Sequence, residues 1–328
     1  MTTVLDTIDK GTAYLEKKGI DDARRNMQLL VTHEIGCSRV ELYMQFDRPM
    51  TEEELIPLRG KLKRRGEGEP LQHLLGTVEF YRREFKTDAR ALIPRPETEE
   101  LVSLILNHSL LQVDRTELEI PLPEMPEEDI DEAPTEEPQT EGPPSRTDQL
   151  RVLDMGTGSG VLGLSLAGEL GGRCQEIVLA DVSADALALA AENALLLGTP
   201  RNTLTETSLF SNLKGEKFHL IAANLPYIAE TDRDTLSPEV QRDPDLALFG
   251  GKDGLDILRD FIQQAPSHLH PGGLIALEIG YDQASSVEAM LVQAGFEDII
   301  THKDLNGIPR FPFASHPGSP EPPSHPTS

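Results

Sequence analysis

The chain has no tryptophan, two cysteines and few aromatic residues, 5% of its 328 positions. Cys37 and Cys174 lie far apart and fit no metal-ligand spacing, so two reduced thiols and no metal site are expected. Basic residues are also scarce. Lys and Arg number 30 against 56 Asp and Glu, a formal net charge of −26. Surfaces that grip a polyanion are normally basic, so direct nucleic-acid binding is not expected. The acid is unevenly spread, which leaves room for a local basic groove. No apolar run reaches the ~18 residues that span a bilayer. The N-terminus, Met1 to Asp6, shows no basic region followed by an apolar stretch, so no secretory signal is read there. A cytoplasmic protein without membrane contact is expected.

What is present divides by composition. Residues 1–75 read as a small helical domain. Val4, Ile8, Tyr14 and Leu15 recur on one face, and Met27, Leu29, Leu30, Val31 and Ile35 on another, at 3.6-residue spacing. Leu55, Leu58 and Leu62 continue the pattern into a basic stretch whose Arg64 and Arg65 read as a solvated helix end, with partner or substrate contact as the sharper reading. Residues 76–92 read as a hairpin linker containing Phe80, Tyr81 and Phe85. Pro94 and Pro96 then force extended backbone before a helix, with Glu97, Glu99 and Glu100 placed for its first turn. Residues 93–314 form the larger domain. They are interrupted at 114–148 by a segment with 13 acidic residues, two arginines and seven prolines. Such a segment buries too little apolar surface to offset its ordering entropy and is expected to be disordered, as is the Pro-rich tail 315–328.

From residue 151 strands and helices alternate: strand Arg151–Asp154, helix Gly160–Glu169, strand Glu176–Asp181, helix Ala184–Leu197, strand Lys217–Asn224, helix Leu255–Ala265 and strand Gly273–Gly280. This alternation predicts an α/β domain with a mostly parallel sheet, which takes its ligands at the carboxyl ends of strands. Asp154-Met-Gly-Thr-Gly-Ser-Gly160 joins a strand to a helix, and glycines there let a ligand approach the backbone. Alone, that turn suits a nicotinamide cofactor equally well. Asp181 ends the next strand, 21 residues after Gly160, where a carboxylate accepts hydrogen bonds from a ribose diol. Asn224-Leu-Pro-Tyr227 decides between the two, because a polar amide, a stiff turn and a ring at a strand end hold a planar NH2 group. The three features on one sheet point to S-adenosylmethionine.

With those motifs, the chain resembles the release-factor glutamine N5-methyltransferases. The matching stretches are Glu69–Gly76, Glu79–Tyr81, Leu92–Glu99, Asp154–Gly160, Asn224–Ile228, Leu246–Gly251 with Asp253–Leu255, and Glu278–Gln283. The resemblance implies a small helical substrate-docking domain and a seven-stranded Rossmann-like class I methyltransferase domain. It implies methyl transfer to the side-chain amide of the glutamine in the Gly-Gly-Gln loop of class I peptide chain release factors. By motif position Gly156, Thr157, Gly158, Ser159 and Gly160 would hold the methionine part of the cofactor, Asp181 the ribose and Leu209 the adenine. Asn224, also beside the cofactor, would act with Leu225, Pro226 and Tyr227 on the substrate glutamine. A monomer working without direct nucleic-acid or membrane contact is expected.

Three departures stand out. Leu225 replaces the usual first proline of the family's Asn-Pro-Pro-Tyr, which keeps the carbonyl but frees φ and adds an N–H. Ser208 replaces an aspartate common near the adenine, and His219 stands where aspartate is frequent and reads as structural. The other readings are a glutamine methyltransferase of a ribosomal protein, an adenine-N6 methyltransferase on RNA or DNA, and a binding protein that keeps the fold without activity. The acidic composition and the Ile93-Pro-Arg-Pro-Glu-Thr98 segment weigh against the adenine methyltransferase.

Overall fold

The computed structural model describes residues 2–111, 149–199 and 201–318. The expected disordered insert 114–148 and the tail from 319 lie outside the described residues. The tail's first residue, Ser315, instead ends a strand.

Five helices build the N-terminal domain: α1 (Val4–Lys17), α2 (Ala23–Ile35), α3 (Arg39–Met44), α4 (Glu52–Gly66) and α5 (Leu71–Leu75). Capping boxes start three of them, with Thr3 and Asp6, Ser38 and Glu41, and Thr51 and Glu54 each satisfying the other's backbone N–H. Their apolar faces meet in one core of Val4, Ile8, Met27, Leu30, Leu42 and Leu58. Arg65 departs from its sequence reading. It is buried, and its guanidinium donates to Asn26 Oδ1 at 2.7 Å and to the Glu69 carbonyl at 3.1 Å. It also pairs with Glu239 of the larger domain. A charge is carried inside here because every face of the fork has an acceptor. Arg64 does stay half-exposed, paired with Glu69.

The hairpin is β1 (Thr77–Phe80) and β2 (Arg83–Lys86). Its two-residue turn places Tyr81 and Arg82 at φ 45° and 60°, the sign a tight hairpin needs. Phe80 and Phe85 meet edge to face with centroids 6.0 Å apart, and both are buried in the main core.

The larger domain opens with α6 (Pro96–Asn107), with proline in its first turn. It continues through β3 (Leu150–Met155), α7 (Val161–Leu170), β4 (Cys174–Asp181), α8 (Ala184–Leu196), β5 (Asn202–Glu206), β6 (Phe218–Asn224), α9 (Asp245–Leu248), α10 (Asp256–Gln264), β7 (Leu269–Glu278), α11 (Ala284–Gln293), β8 (Glu297–Lys303) and β9 (Pro309–Ser315). The seven strands from β3 onward form one sheet in the order β5-β4-β3-β6-β7-β9-β8. All pairings are parallel except those of β9, which lies antiparallel between β7 and β8. Successive residues of β3 feed opposite faces. Val152 joins the core under α6 and α7, and Leu153 and Met155 join the core under α10 and α11. A sheet covered twice reads as continuous apolar runs, which is how β3, β4 and β6 appear in the sequence.

Candidate active site

The sheet order reverses between β3 and β6. From β3 the chain crosses to β4 on one side, and from β6 to β7 on the other. Loops leaving the carboxyl ends of these strands therefore diverge and open a crevice. A cavity of about 610 Å³ fills it. Gly156, Thr157, Gly158, Ser159, Asp181, Leu209, Asn224, Leu225 and Pro226 all line that cavity.

The glycine turn is held by its own neighbourhood. Gly156 and Thr157 donate their backbone N–H groups to the Ala180 carbonyl at 2.8 and 3.0 Å, tying the turn to the end of β4. Gly156, Gly158 and Gly160 have φ of 70°, 55° and 85°, a region L-residues avoid. A Cβ on Gly156 would stand 2.8 Å from Leu225 Cδ2, so this glycine also lets the two turns touch. Asp154, buried beneath the turn, accepts from Thr157 Oγ1 at 2.6 Å and from the Gly163 N–H at 2.9 Å. Burial pushes its carboxyl up to about 6, against the pull of those two hydrogen bonds. Gly160 sits outside the cavity lining and caps α7, packed against Ala190.

Asp181 turns one carboxylate oxygen to the Gly158 N–H and the other to the Ser183 N–H, both at 2.9 Å. A carboxylate has about four acceptor positions, so capacity remains for a ligand hydroxyl. Burial raises this carboxyl above the usual range, opposed by backbone hydrogen bonds from Ser183, Gly158 and Val182. Leu209 has φ 48°, strained for a branched residue, and its carbonyl is fastened by Thr207 Oγ1 at 2.8 Å. Such strain gathers where a backbone must present a side chain to a ligand.

The Asn224–Tyr227 turn is held from far away in sequence. Asn224 Nδ2 donates to Thr98 Oγ1 at 3.1 Å, and Thr98 donates to Glu278 Oε2 at 2.7 Å. At the other end Gln283 Nε2 donates to the Tyr227 carbonyl at 2.9 Å, while its Oε1 accepts from the Gly280 N–H. Gly250 lies under the turn, where a Cβ would meet the Pro226 carbonyl oxygen at 2.4 Å. Tyr227 does not line the large cavity. It lines a second one of about 250 Å³, with Arg95, Glu97, Glu278 and Arg310. Asn224 and Leu225 belong to both cavities. Burial pushes the Tyr227 phenol up to about 12, so the ring stays neutral at physiological pH. His219 lies at the opposite end of β6, where its Nδ1 accepts the Arg151 N–H at 3.0 Å and its ring packs on His270.

Thr98, Glu278 and Gln283 are absent from the residues singled out by sequence for the site. They fall inside the matching stretches Leu92–Glu99 and Glu278–Gln283, yet nothing local pairs residue 98 with residue 224.

Two family descriptions and several curated relatives match this chain. The PrmC N-terminal domain description matches residues 6–76, and the methyltransferase small domain description matches residues 144–240. The chain is 37% identical over 309 residues to the release factor glutamine methyltransferase of Geobacter sulfurreducens, covering 94% of this chain and 95% of that one. The chain belongs to the release factor glutamine methyltransferase family. Proteins of the same name from Deinococcus radiodurans and Chlorobaculum tepidum are 34% and 32% identical. The first covers 95% of this chain and 98% of its own, and the second 94% and 95%. The family-level expectations of fold and enzyme class thus stand, although β5, β8, β9 and α11 were not read from the sequence.

Proposed function

We propose that this chain transfers a methyl group from S-adenosylmethionine to the side-chain amide nitrogen of the glutamine in the Gly-Gly-Gln loop of class I release factors. The observation that carries this reading is the meeting of two cavities at Asn224 and Leu225. One has the size and the carboxylate-plus-glycine lining of a nucleoside site. The other is small and presents a ring and an amide. Family membership gives the acceptor class.

The residues of the larger cavity fit the cofactor. Gly156 to Ser159 offer an open backbone for its methionine part, Asp181 keeps free lone pairs for the ribose hydroxyls, and Leu209 offers an apolar face to adenine. When bound, the cofactor supplies a strongly electrophilic sulfonium methyl. The chain's own residues then have one main task, because an amide nitrogen is a poor nucleophile with a delocalised lone pair. Asn224 Oδ1 and the Leu225 carbonyl each accept one N–H of the acceptor amide, which aims its lone pair into the cofactor cavity. The Tyr227 ring stacks on the amide plane. The proton leaves after transfer, so no dedicated base is needed. In this reading the enzyme works as a cytoplasmic monomer, and its acidic balance supports a protein acceptor over a nucleic acid. Among the described residues no helix is long and apolar enough to cross a membrane.

The test is incubation with labelled S-adenosylmethionine and a purified release factor, followed by mass spectrometry of the Gly-Gly-Gln peptide. One methyl on the glutamine is expected. Label appearing only on RNA, or on a ribosomal protein, overturns the assignment.

A further inference from the structure

The Asn224 amide has two chemically different ends, and only one suits the acceptor proposed above. An incoming carboxamide NH2 must meet an oxygen. Meeting Asn224 Nδ2 instead would set donor against donor. In the structure the donors run one way: Asn224 Nδ2 to Thr98 Oγ1, then the single Thr98 hydroxyl hydrogen to Glu278 Oε2. An ionised carboxylate only accepts, so it fixes that direction and leaves Asn224 Oδ1 for the substrate. A protonated carboxyl donates, so the same three groups then run the other way. Thr98 would donate to Asn224 Oδ1, and the amide would turn its NH2 toward the acceptor.

We propose that Thr98 and Glu278 are positioning residues that set which end of the Asn224 amide faces the acceptor, with ionised Glu278 holding the productive orientation. This rests on the function proposed above. The relay is built into the fold. Asn224 and Glu278 are register partners on β6 and β7, and α6 lays Thr98 over both. Thr98 and Glu278 are buried, so water does not compete for the bonds. The groups facing Glu278 are Glu97 and Thr98 on α6, Asn224 on β6, Arg310 on β9, and Tyr227 and Arg95 in the same small cavity. Burial pushes the Glu278 carboxyl up to about 7, and Glu97 pushes the same way. Thr98, Arg310 and Asn224 pull it down. The reversal therefore falls near neutral pH.

The experiment follows single-turnover transfer to the release factor at saturating cofactor, from about pH 5.5 to 9. Wild-type transfer to the glutamine is established first, and its failure overturns the functional reading and this relay together. Expected for the wild type is a rate that rises through one step near neutrality. Glu278→Gln keeps an oxygen that accepts from Thr98 but cannot titrate, so its acid step disappears. Thr98→Val lowers the rate by about tenfold, and Thr98→Ser returns it to within about threefold, with cofactor-analogue affinity unchanged. An unchanged acid step in Glu278→Gln overturns the proposal, as does a wild-type rate in Thr98→Val.

Discussion

The two turns that meet at the switch point are held in different ways. The glycine turn is secured by its own neighbours. Its contacts run 3 residues back from Thr157 to Asp154, 9 back from Gly163 to Asp154, 23 forward from Gly158 to Asp181 and 34 forward from Ser159 to Asn193. The Asn224–Tyr227 turn is secured by side chains 126 residues away at Thr98 and 56 residues away at Gln283. A binding cradle for a flexible cofactor needs mainly an accessible backbone, and a strand-turn-helix supplies that locally. Aiming one lone pair needs an amide whose plane and polarity are both fixed, and no local stretch of chain supplies that. The turn proposed to orient the acceptor is braced by the rest of the domain.

This contrast makes separable predictions. The largest effect is expected at Asn224. Asn224→Ala should cost roughly 2–4 kcal/mol of transition-state stabilisation, by analogy with the loss of an oxyanion-hole donor, with cofactor binding kept within a few fold. Single-turnover rates and calorimetry read the two quantities. Asp181→Ala should do the reverse, weakening cofactor binding by about 1.5–3 kcal/mol in calorimetry while the rate at saturation changes little. The sign of its pH dependence follows from the carboxylate. In the proposed site the ionised form would accept from the ribose, and burial raises the pKa, so affinity should fall on acidification sooner than with an exposed aspartate. Gln283→Ala should lower both transfer rate and thermal stability, by about 1–2 kcal/mol, because the Gly280 N–H loses its partner and the Tyr227 carbonyl its brace. A loss seen in the cofactor affinity alone would break the comparison.

The smallest effect is expected at Leu225. Its assigned hydrogen bond comes from the backbone carbonyl, so Leu225→Pro should keep activity or raise it slightly by fixing φ. The leucine side chain packs over Gly156, however, and proline leaves part of that contact empty. Assays of both forms on a release factor and on RNA read the outcome. A wild type active only on RNA, with glutamine activity gained by the proline variant, would contradict the acceptor assignment.

What could be read from the sequence follows the same division. The glycine turn, Asp181 and the parallel core strands were legible because composition, spacing and apolar runs are local signals. Asn224 was legible as a motif at a strand end. Its supports were not, because the link from Asn224 to Glu278 exists only through the β6–β7 register. The edge elements β5 and β8 carry half-exposed, polar patterns, and pairing with neighbours rather than periodicity makes them strands. Arg65 was misread for the same reason, since two of its acceptors, Asn26 and Glu239, lie 39 and 174 residues away.

The most direct test of the division of labour measures two quantities on two variants. Cofactor-analogue affinity and single-turnover transfer to the release factor glutamine are determined for Asn224→Ala and Asp181→Ala side by side. The account predicts a crossed result, with transfer lost and affinity kept in Asn224→Ala, and affinity lost and saturated transfer largely kept in Asp181→Ala. Transfer by Asn224→Ala within about threefold of wild type would contradict it, because an orienting acceptor in a closed site is worth far more than that.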